Sequence, residues 1–324
     1  MAGLPLSPQP RSVQVEEPKT GNSDLNRILV RKTYCSFRMM ACIWALAICA
    51  NAQTSPRARV AVLDFGDSPT GARASERVRQ ALVDRAAAAN GIVLVDRNLA
   101  TAAARGVGFQ ASLNLAIAEA RDIGAAIGCD FFIIGDADTP RRSPSTGMAY
   151  FESYASIFIV SARTGRLISW ERPLERRGTT EEAEKALLKT LDDADRYRVS
   201  IVRALEDESA ERASAVETPP TAIEVMSDDK DSSDARAPRP YRRLKPPYPD
   251  SAAVAEVEAT VDVLVDIDAR GEIGHVEIAR WAGYGLDQSV IDTVKQMHFF
   301  PAMRDGIAIP MRVLLRYNFR KPAK

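Results

Sequence analysis

The stretch EVEATVDVLVDID (256–268) alternates apolar and polar side chains almost without a break, and no other part of this chain limits its fold so tightly. A period of two is the period of a β-strand. Val257, Ala259, Val261, Val263, Val265 and Ile267 point one way, while Glu258, Thr260, Asp262, Asp266 and Asp268 point the other. One face packs and the other meets water, as in an antiparallel sheet covered on one side. Ala269-Arg270-Gly271-Glu272 then turns the chain, with Gly271 where a positive φ is expected. A second strand over about 273–280 carries Val276 and Ile278. A helix over about 286–297 turns Leu286, Val290, Ile291, Val294 and Met297 to the core. After a turn at Arg304-Asp305-Gly306, PMRVLLRYNFR (310–320) alternates again. Met311, Val313, Leu315, Tyr317 and Phe319 face in, and Arg312, Arg316, Asn318 and Arg320 face out.

Residues 57–206 read differently. RARVAVLDFGD (57–67), IVLVDR (92–97) and DFFIIGDAD (130–138) are apolar strands ending at turn residues. Helical patterns at 71–89 and 110–127 separate them. Two further strands, about 149–161 and 166–172, flank the turn ARTG and form a hairpin. Thr179 and Glu182 have capping-box spacing at the head of one long helix over 179–205. The order β-α-β-α-β-β-β-α predicts a mixed sheet flanked by helices. The expected fold is therefore α+β with a mixed α/β part. It has two domains, 57–206 and 241–324, the second a small antiparallel sheet packed on one or two helices.

Between them, 207–240 is rich in Ser, Asp, Glu and Pro and poor in large apolar residues. It reads as a disordered linker spanning roughly 30 to 35 Å. Before them, residues 1–52 read as a leader and signal peptide. MMACIWALAICANAQ (39–53) holds an apolar run of about 12 residues, roughly 18 Å as a helix, against a hydrocarbon core of ~30 Å. Arg31, Lys32 and Arg38 precede it, and Ala50-Asn51-Ala52 is an A-x-A site placing cleavage before Gln53. The polar residues before Arg31 imply a downstream start, at Val30. Two other fates stay open: a retained inner-membrane anchor over 39–52, and lipidation at Cys49, which Ile48 disfavours.

Little in the sequence points to catalysis. Net charge is +0, which gives no footprint for nucleic acid. The two histidines, His275 and His298, have no partner spacing for a metal or a nucleophile. Asp64-Phe65-Gly66 lacks every other kinase element. Gly106-Val107-Gly108-Phe109-Gln110-Ala111 follows a helical run rather than a strand, so a dinucleotide context fails. Asp136 and Asp138 read as a solvated strand end, and Cys129 as a buried thiol. No cofactor and no metal are expected.

Two resemblances add to this reading. Pro247-Tyr248-Pro249, VDVLVDIDARGEIGHVEI, Gly285-Leu286-Asp287 and FFPAMRDGIAIPMRVLLRYNF stand in the order of the TonB carboxy-terminal domain family, which residues 241–324 resemble. VAVLDF, VLVDRNLA, IGAAIGCDFFIIGDAD and VSARTGRLISW make residues 57–206 similar to the curli-secretion (CsgG-type) and TolB amino-terminal superfamily of envelope proteins, which are assembly units rather than enzymes. The TonB resemblance implies a periplasmic protein. Its partner is an outer-membrane transporter or another envelope protein, whose extended peptide adds as a strand beside the last strand of the domain. It implies partner contacts at Lys245, Tyr248, Arg312, Val313, Leu314, Arg316, Asn318 and Arg320. Lys245 stands where family members often carry glutamine. The recurring arginines imply either a taste for acidic peptides or charge that discourages unwanted pairing. Self-association is a further partner class, and the membrane is reached only through the leader or the partners. An energy transducer driving uptake is the alternative, and it requires residues 39–52 to stay in the inner membrane.

Overall fold

A computed structural model describes residues 58–86, 91–217, 224–225 and 235–321. The expectations for the leader, including Cys49, Ala50, Ala52 and Gln53, lie outside these residues. Among them, no helix is long and apolar enough to cross a membrane.

The first apolar run becomes β1 (Ala58–Val62), followed by α1 (Pro69–Ala86), β2 (Ile92–Leu94), α2 (Arg97–Gly106) and α3 (Ile117–Ile127). Then come β3 (Phe131–Asp138), β4 (Arg141–Arg142), β5 (Tyr150–Ser161), β6 (Leu167–Glu171), β7 (Leu174–Arg177), α4 (Thr180–Thr190) and α5 (Ala194–Glu217). Pro69 opens α1 in the first turn, where the missing N–H would have had no partner within the helix. Asp96 caps α2 by accepting the Leu99 N–H at 3.0 Å, and Thr179 caps α4 by accepting that of Glu182 at 3.3 Å.

β2, β1 and β3 run parallel, β5 returns antiparallel to β3 over eight residue pairs, and β6 and β7 continue along β5. Alternate residues of these strands feed two cores. Val60, Val62, Phe131, Ile133, Ile157 and Ile159 pack with Val78, Leu82, Leu187, Tyr197 and Ile201 of α1, α4 and α5. Ala61, Leu63, Phe132, Ile134, Phe158 and Val160 face the opposite way, toward α2, α3 and the carboxy-terminal half.

The single helix expected at 179–205 is two, broken between Thr190 and Ala194. Asp192 and Asp193 explain the break. Negative charge is unfavourable at the end of α4 and favourable at the start of α5. The first part of the segment expected as a linker, 207–217, is helical. DESAERASAVE continues α5 to Glu217. Glu208 holds it to the sheet by accepting from Ser161 Oγ at 2.5 Å, Thr164 Oγ1 at 3.2 Å and Arg163 Nε at 2.8 Å. Ala and Glu are also strong helix formers.

The second half holds β8 (Glu224–Val225), β9 (Ala235–Arg236), β10 (Arg239–Pro240), α6 (Asp250–Val254), β11 (Ala259–Ile267), β12 (Ile273–Arg280) and α7 (Leu286–Val294). It closes with β13 (Phe299–Phe300), β14 (Ala302–Arg304), β15 (Ile307–Ile309) and β16 (Met311–Phe319). Its main sheet has the order β12-β11-β16-β8. Val261, Val263, Val265 and Ile267 of β11 are at most 1% exposed, as the alternation required, and pack with Leu286, Val290 and Val294 of α7. Gly271 takes φ +85° at the β11–β12 turn, and a Cβ there would fall 1.9 Å from the Phe299 carbonyl oxygen. Only glycine is accommodated.

The two halves share one apolar core instead of swinging on a tether. Trp281, 1% exposed, stacks on Phe158 of β5 with ring centroids 5.9 Å apart and donates its indole N–H to the Gly165 carbonyl at 3.0 Å. Tyr284 meets the same phenylalanine edge-on at 5.5 Å. Gly283 adopts φ +72° directly over that ring, and a Cβ there would lie 2.4 Å from Phe158 Cε1. Asn114 works as a clamp. Its Nδ2 donates to the Thr260 carbonyl at 2.8 Å and the Trp281 carbonyl at 2.6 Å, and its Oδ1 accepts the Thr260 N–H at 3.0 Å. Arg280 adds bonds to the Asn114 carbonyl at 2.9 Å and to Glu119 at 3.1 and 3.2 Å. Asp287, in the first turn of α7, accepts the N–H groups of Ala282 and Gly283 at 2.8 Å each. Burial outweighs those bonds and pushes its carboxyl up to about 6.

Candidate docking edge

β16 lies antiparallel to β11 along its whole length, from Met311 opposite Ile267 to Phe319 opposite Ala259. Its other flank is nearly bare among the described residues. β8 pairs with it in parallel only at Met311 and Arg312, and Val313–Phe319 have no strand partner on that side among the described residues. Seven residues at ~3.4 Å each leave an open edge of roughly 24 Å. Alternate residues along it present N–H and C=O groups to an incoming strand, roughly seven bonds in all.

The outer face of this sheet is a ladder of forks. Arg312 grips Asp266 through two bonds of 2.5 and 2.7 Å, and Arg316 grips Asp262 at 2.7 and 2.9 Å. Arg280 reaches Asp262 from the opposite strand at 3.7 Å. The register sets these pairs abreast, Asp262 with Arg316 and Asp266 with Arg312. The guanidinium beside Asp266 holds its carboxyl below the usual carboxylate range, and the carboxylate raises Arg312 in turn. Asp262 and Asp266, expected to meet water, are 6% and 8% exposed because the arginines lie over them. Two of the three arginines expected to attract acidic peptides therefore already hold the chain's own carboxylates. Arg320 is exposed and has no carboxylate partner among the described residues.

The other sequence-predicted residues divide between the edge and the body. Leu314, 51% exposed, and Asn318, bonded to Thr260 Oγ1 at 2.8 Å, stand on the outer face, while Val313 is buried below them. Lys245 is exposed on the extended run before α6. Tyr248 is half-buried, with its ring 6.2 Å from Phe319 and its hydroxyl donating to the Val257 carbonyl at 2.6 Å. It braces the Phe319 end of the edge. The sequence reading missed Asp262 and Asp266 as arginine partners, Asn114 as the clamp, and Glu224–Val225 as a strand. Only the last had a local signal, the β-branched alternation Thr221, Ile223, Val225.

Among the described residues the amino-terminal half brings no reactive set together. Burial pushes the Cys129 thiol up to about 12, so it stays neutral at physiological pH. Asp136 is raised by burial and accepts from Tyr154 Oη at 3.1 Å. Asp64 is taken by Arg97 at 2.9 and 2.6 Å. Gly106 ends α2, and Val107–Ala111 follow it before α3 as a turn, with Gly108 at φ +84°. Among the described residues no group of acidic, histidine or cysteine side chains is placed to hold a metal ion.

The family model for the Gram-negative bacterial TonB protein C-terminal matches residues 245–320. Residues 245–320 are a TonB C-terminal domain. The solution structure of the Pseudomonas aeruginosa TonB C-terminal domain is similar at 21% identity, covering 32% of this chain and 99% of that one, with a TM-score of 0.25. A lipoprotein from Neisseria meningitidis is similar at 14% identity over 44% of this chain and 98% of its own, TM-score 0.30. The C-terminal domain of LpoB from Salmonella enterica is similar at 15% identity over 40% and 91%, TM-score 0.26. No curated protein matches the chain. The TonB C-terminal domain family is a non-catalytic protein-interaction family of the cell envelope, and the match supports an envelope interaction role for residues 245–320.

Proposed function

We propose that this TonB-family chain captures an extended segment of an outer-membrane transporter, or of another envelope protein, by strand addition along Val313–Phe319, and that it does so in the periplasm in support of transmembrane transport. The observation that carries the reading is the flank of β16 left open from Val313 to Phe319 among the described residues. Main-chain bonds supply the affinity. Each is worth only ~0.5–1.5 kcal/mol net, and association itself costs several kcal/mol. A micromolar or weaker complex is expected, suited to repeated engagement. Selectivity then comes from Leu314, Asn318 and Arg320 on the exposed side, with Tyr248 at the Phe319 end and Lys245 exposed three residues before it in the chain. The amino-terminal half serves as the platform that joins an envelope assembly, as its likeness to the curli-secretion superfamily implies.

The test is photo-crosslinking in cells, with a photoreactive residue at Leu314 or Asn318 and a control at Met148, which is 90% exposed on the other half. Adducts at 314 and 318 that mass spectrometry assigns to an outer-membrane transporter, or to one other envelope protein, support the reading. Identical products from Met148, or none at either edge position, refute it.

A further inference from the structure

The edge that would receive a partner is already touched by the chain itself. β8 runs parallel to β16 on its otherwise bare flank, with Glu224 beside Met311 and Val225 beside Arg312. Both ends of the segment that carries it are anchored. Glu217 ends α5, and Ala235 begins β9, which pairs with β14 through Arg304 opposite Ala235 and Met303 opposite Arg236. Residues 218–234, which include β8, are all that joins the two anchors.

We propose that Glu224–Val225 is a tethered competitor for the docking edge, an internal strand that an incoming peptide must displace to use all nine positions of β16. The inference rests on strand addition being the docking mode. A segment tethered at both ends through residues 218–234 acts at an effective concentration in the millimolar range. A partner of micromolar affinity therefore competes with it on measurable terms. The contact is also slight. One or two main-chain hydrogen bonds each shift an equilibrium by about two- to twelvefold, so β8 opens readily, unlike the nine-pair ladder between β11 and β16. Its position also gives it a second effect. With β8 in place an added strand starts at Val313, and with β8 released it starts at Met311, so the segment sets both the register and the length of what is bound.

Val225→Pro in the full chain removes a backbone N–H and disfavours several conformations of the preceding residue. Replacement of residues 221–226 by a Gly-Ser run of equal length is a second variant in case the first folds poorly. Two measurements apply to each. The first is amide hydrogen exchange across β16 without any ligand. We expect exchange to speed up about 3- to 10-fold at whichever of Met311 and Arg312 turns its N–H toward β8, with the rest of the strand unchanged. The second is a titration with a labelled nine-residue peptide of alternating valine and glutamate, whose dissociation constant should fall about 3- to 10-fold. Unchanged exchange at Met311 and Arg312, or equal peptide affinity in variant and parent, overturns the competitor role. A probe that binds neither protein while the exchange difference persists overturns the strand-addition reading, and the proposed regulation with it.

Discussion

Asn114 offers the sharpest test of whether the two halves form one body. Its side chain makes three hydrogen bonds to the backbone of Thr260 and Trp281, all across the interface. Asn114→Ala leaves one N–H and two carbonyls without these partners. At ~0.5–1.5 kcal/mol per bond the sum is about 1.5–4.5 kcal/mol. The site is only half-buried, so water recovers part of this, and about 2 kcal/mol is expected. For a body of this size each kcal/mol lowers the melting temperature by ~2–4 °C, giving a drop of about 4–8 °C. Calorimetry on the full chain should show that drop in one cooperative transition reporting both halves. Ser112→Ala, two residues away and bonded only within its own loop, should be near neutral. A shift below about 1 °C, or two separate transitions with the first at its original temperature, would falsify the single-body argument.

Three further perturbations follow from the same contacts. Gly283→Ala places a Cβ against Phe158 at a positive φ, which should cost about 2–4 kcal/mol; a melting curve that superimposes on the parent's contradicts the packing described. Asp287 binds its proton near pH 6 in the folded chain and near 3.8 unfolded, so the folded state carries the extra proton in between. Stability from this group therefore falls as pH rises through 4–6, and Asp287→Asn should flatten that slope in urea melts; an unaltered slope assigns it elsewhere. Asp266, held low by Arg312, acts in the opposite sense, and its contribution is lost only as pH falls below 3.8. Asp262→Ala should release Arg316 and loosen Arg280, destabilise by about 1–3 kcal/mol, and strengthen binding of an acidic peptide several-fold by fluorescence anisotropy. Equal affinity would mean the freed guanidinium plays no part in recognition.

Period-two alternation placed the ends of β16 within one residue and those of β11 within three, and put Val261, Val263, Val265 and Ile267 on the core face. Gly271 announced its own turn. What escaped the sequence was whatever depends on register between distant segments. Asp262 and Arg316 are 54 positions apart, and nothing local says they stand abreast. The docking of the halves was hidden for a related reason. Trp281, Phe158 and Tyr284 look like ordinary core residues, and no pattern tells which core they share. Composition misjudged 207–217 because Glu208 and Glu211 read as solvated charge, while in the fold they bind Ser161, Thr164, Arg163 and Arg166. Of the candidate site, the strand β16 was legible, but the internal pairing of its arginines and the strand that touches it were not.

The ladder between β11 and β16 has a mechanical meaning. A tug along a peptide zipped onto β16 pulls parallel to the strands, so it loads nine residue pairs in shear together instead of peeling them one at a time. β11 is in turn pinned at Thr260 to Asn114 of the other half. Tension entering at the edge therefore spreads into the whole body, and the peptide should let go before the protein yields.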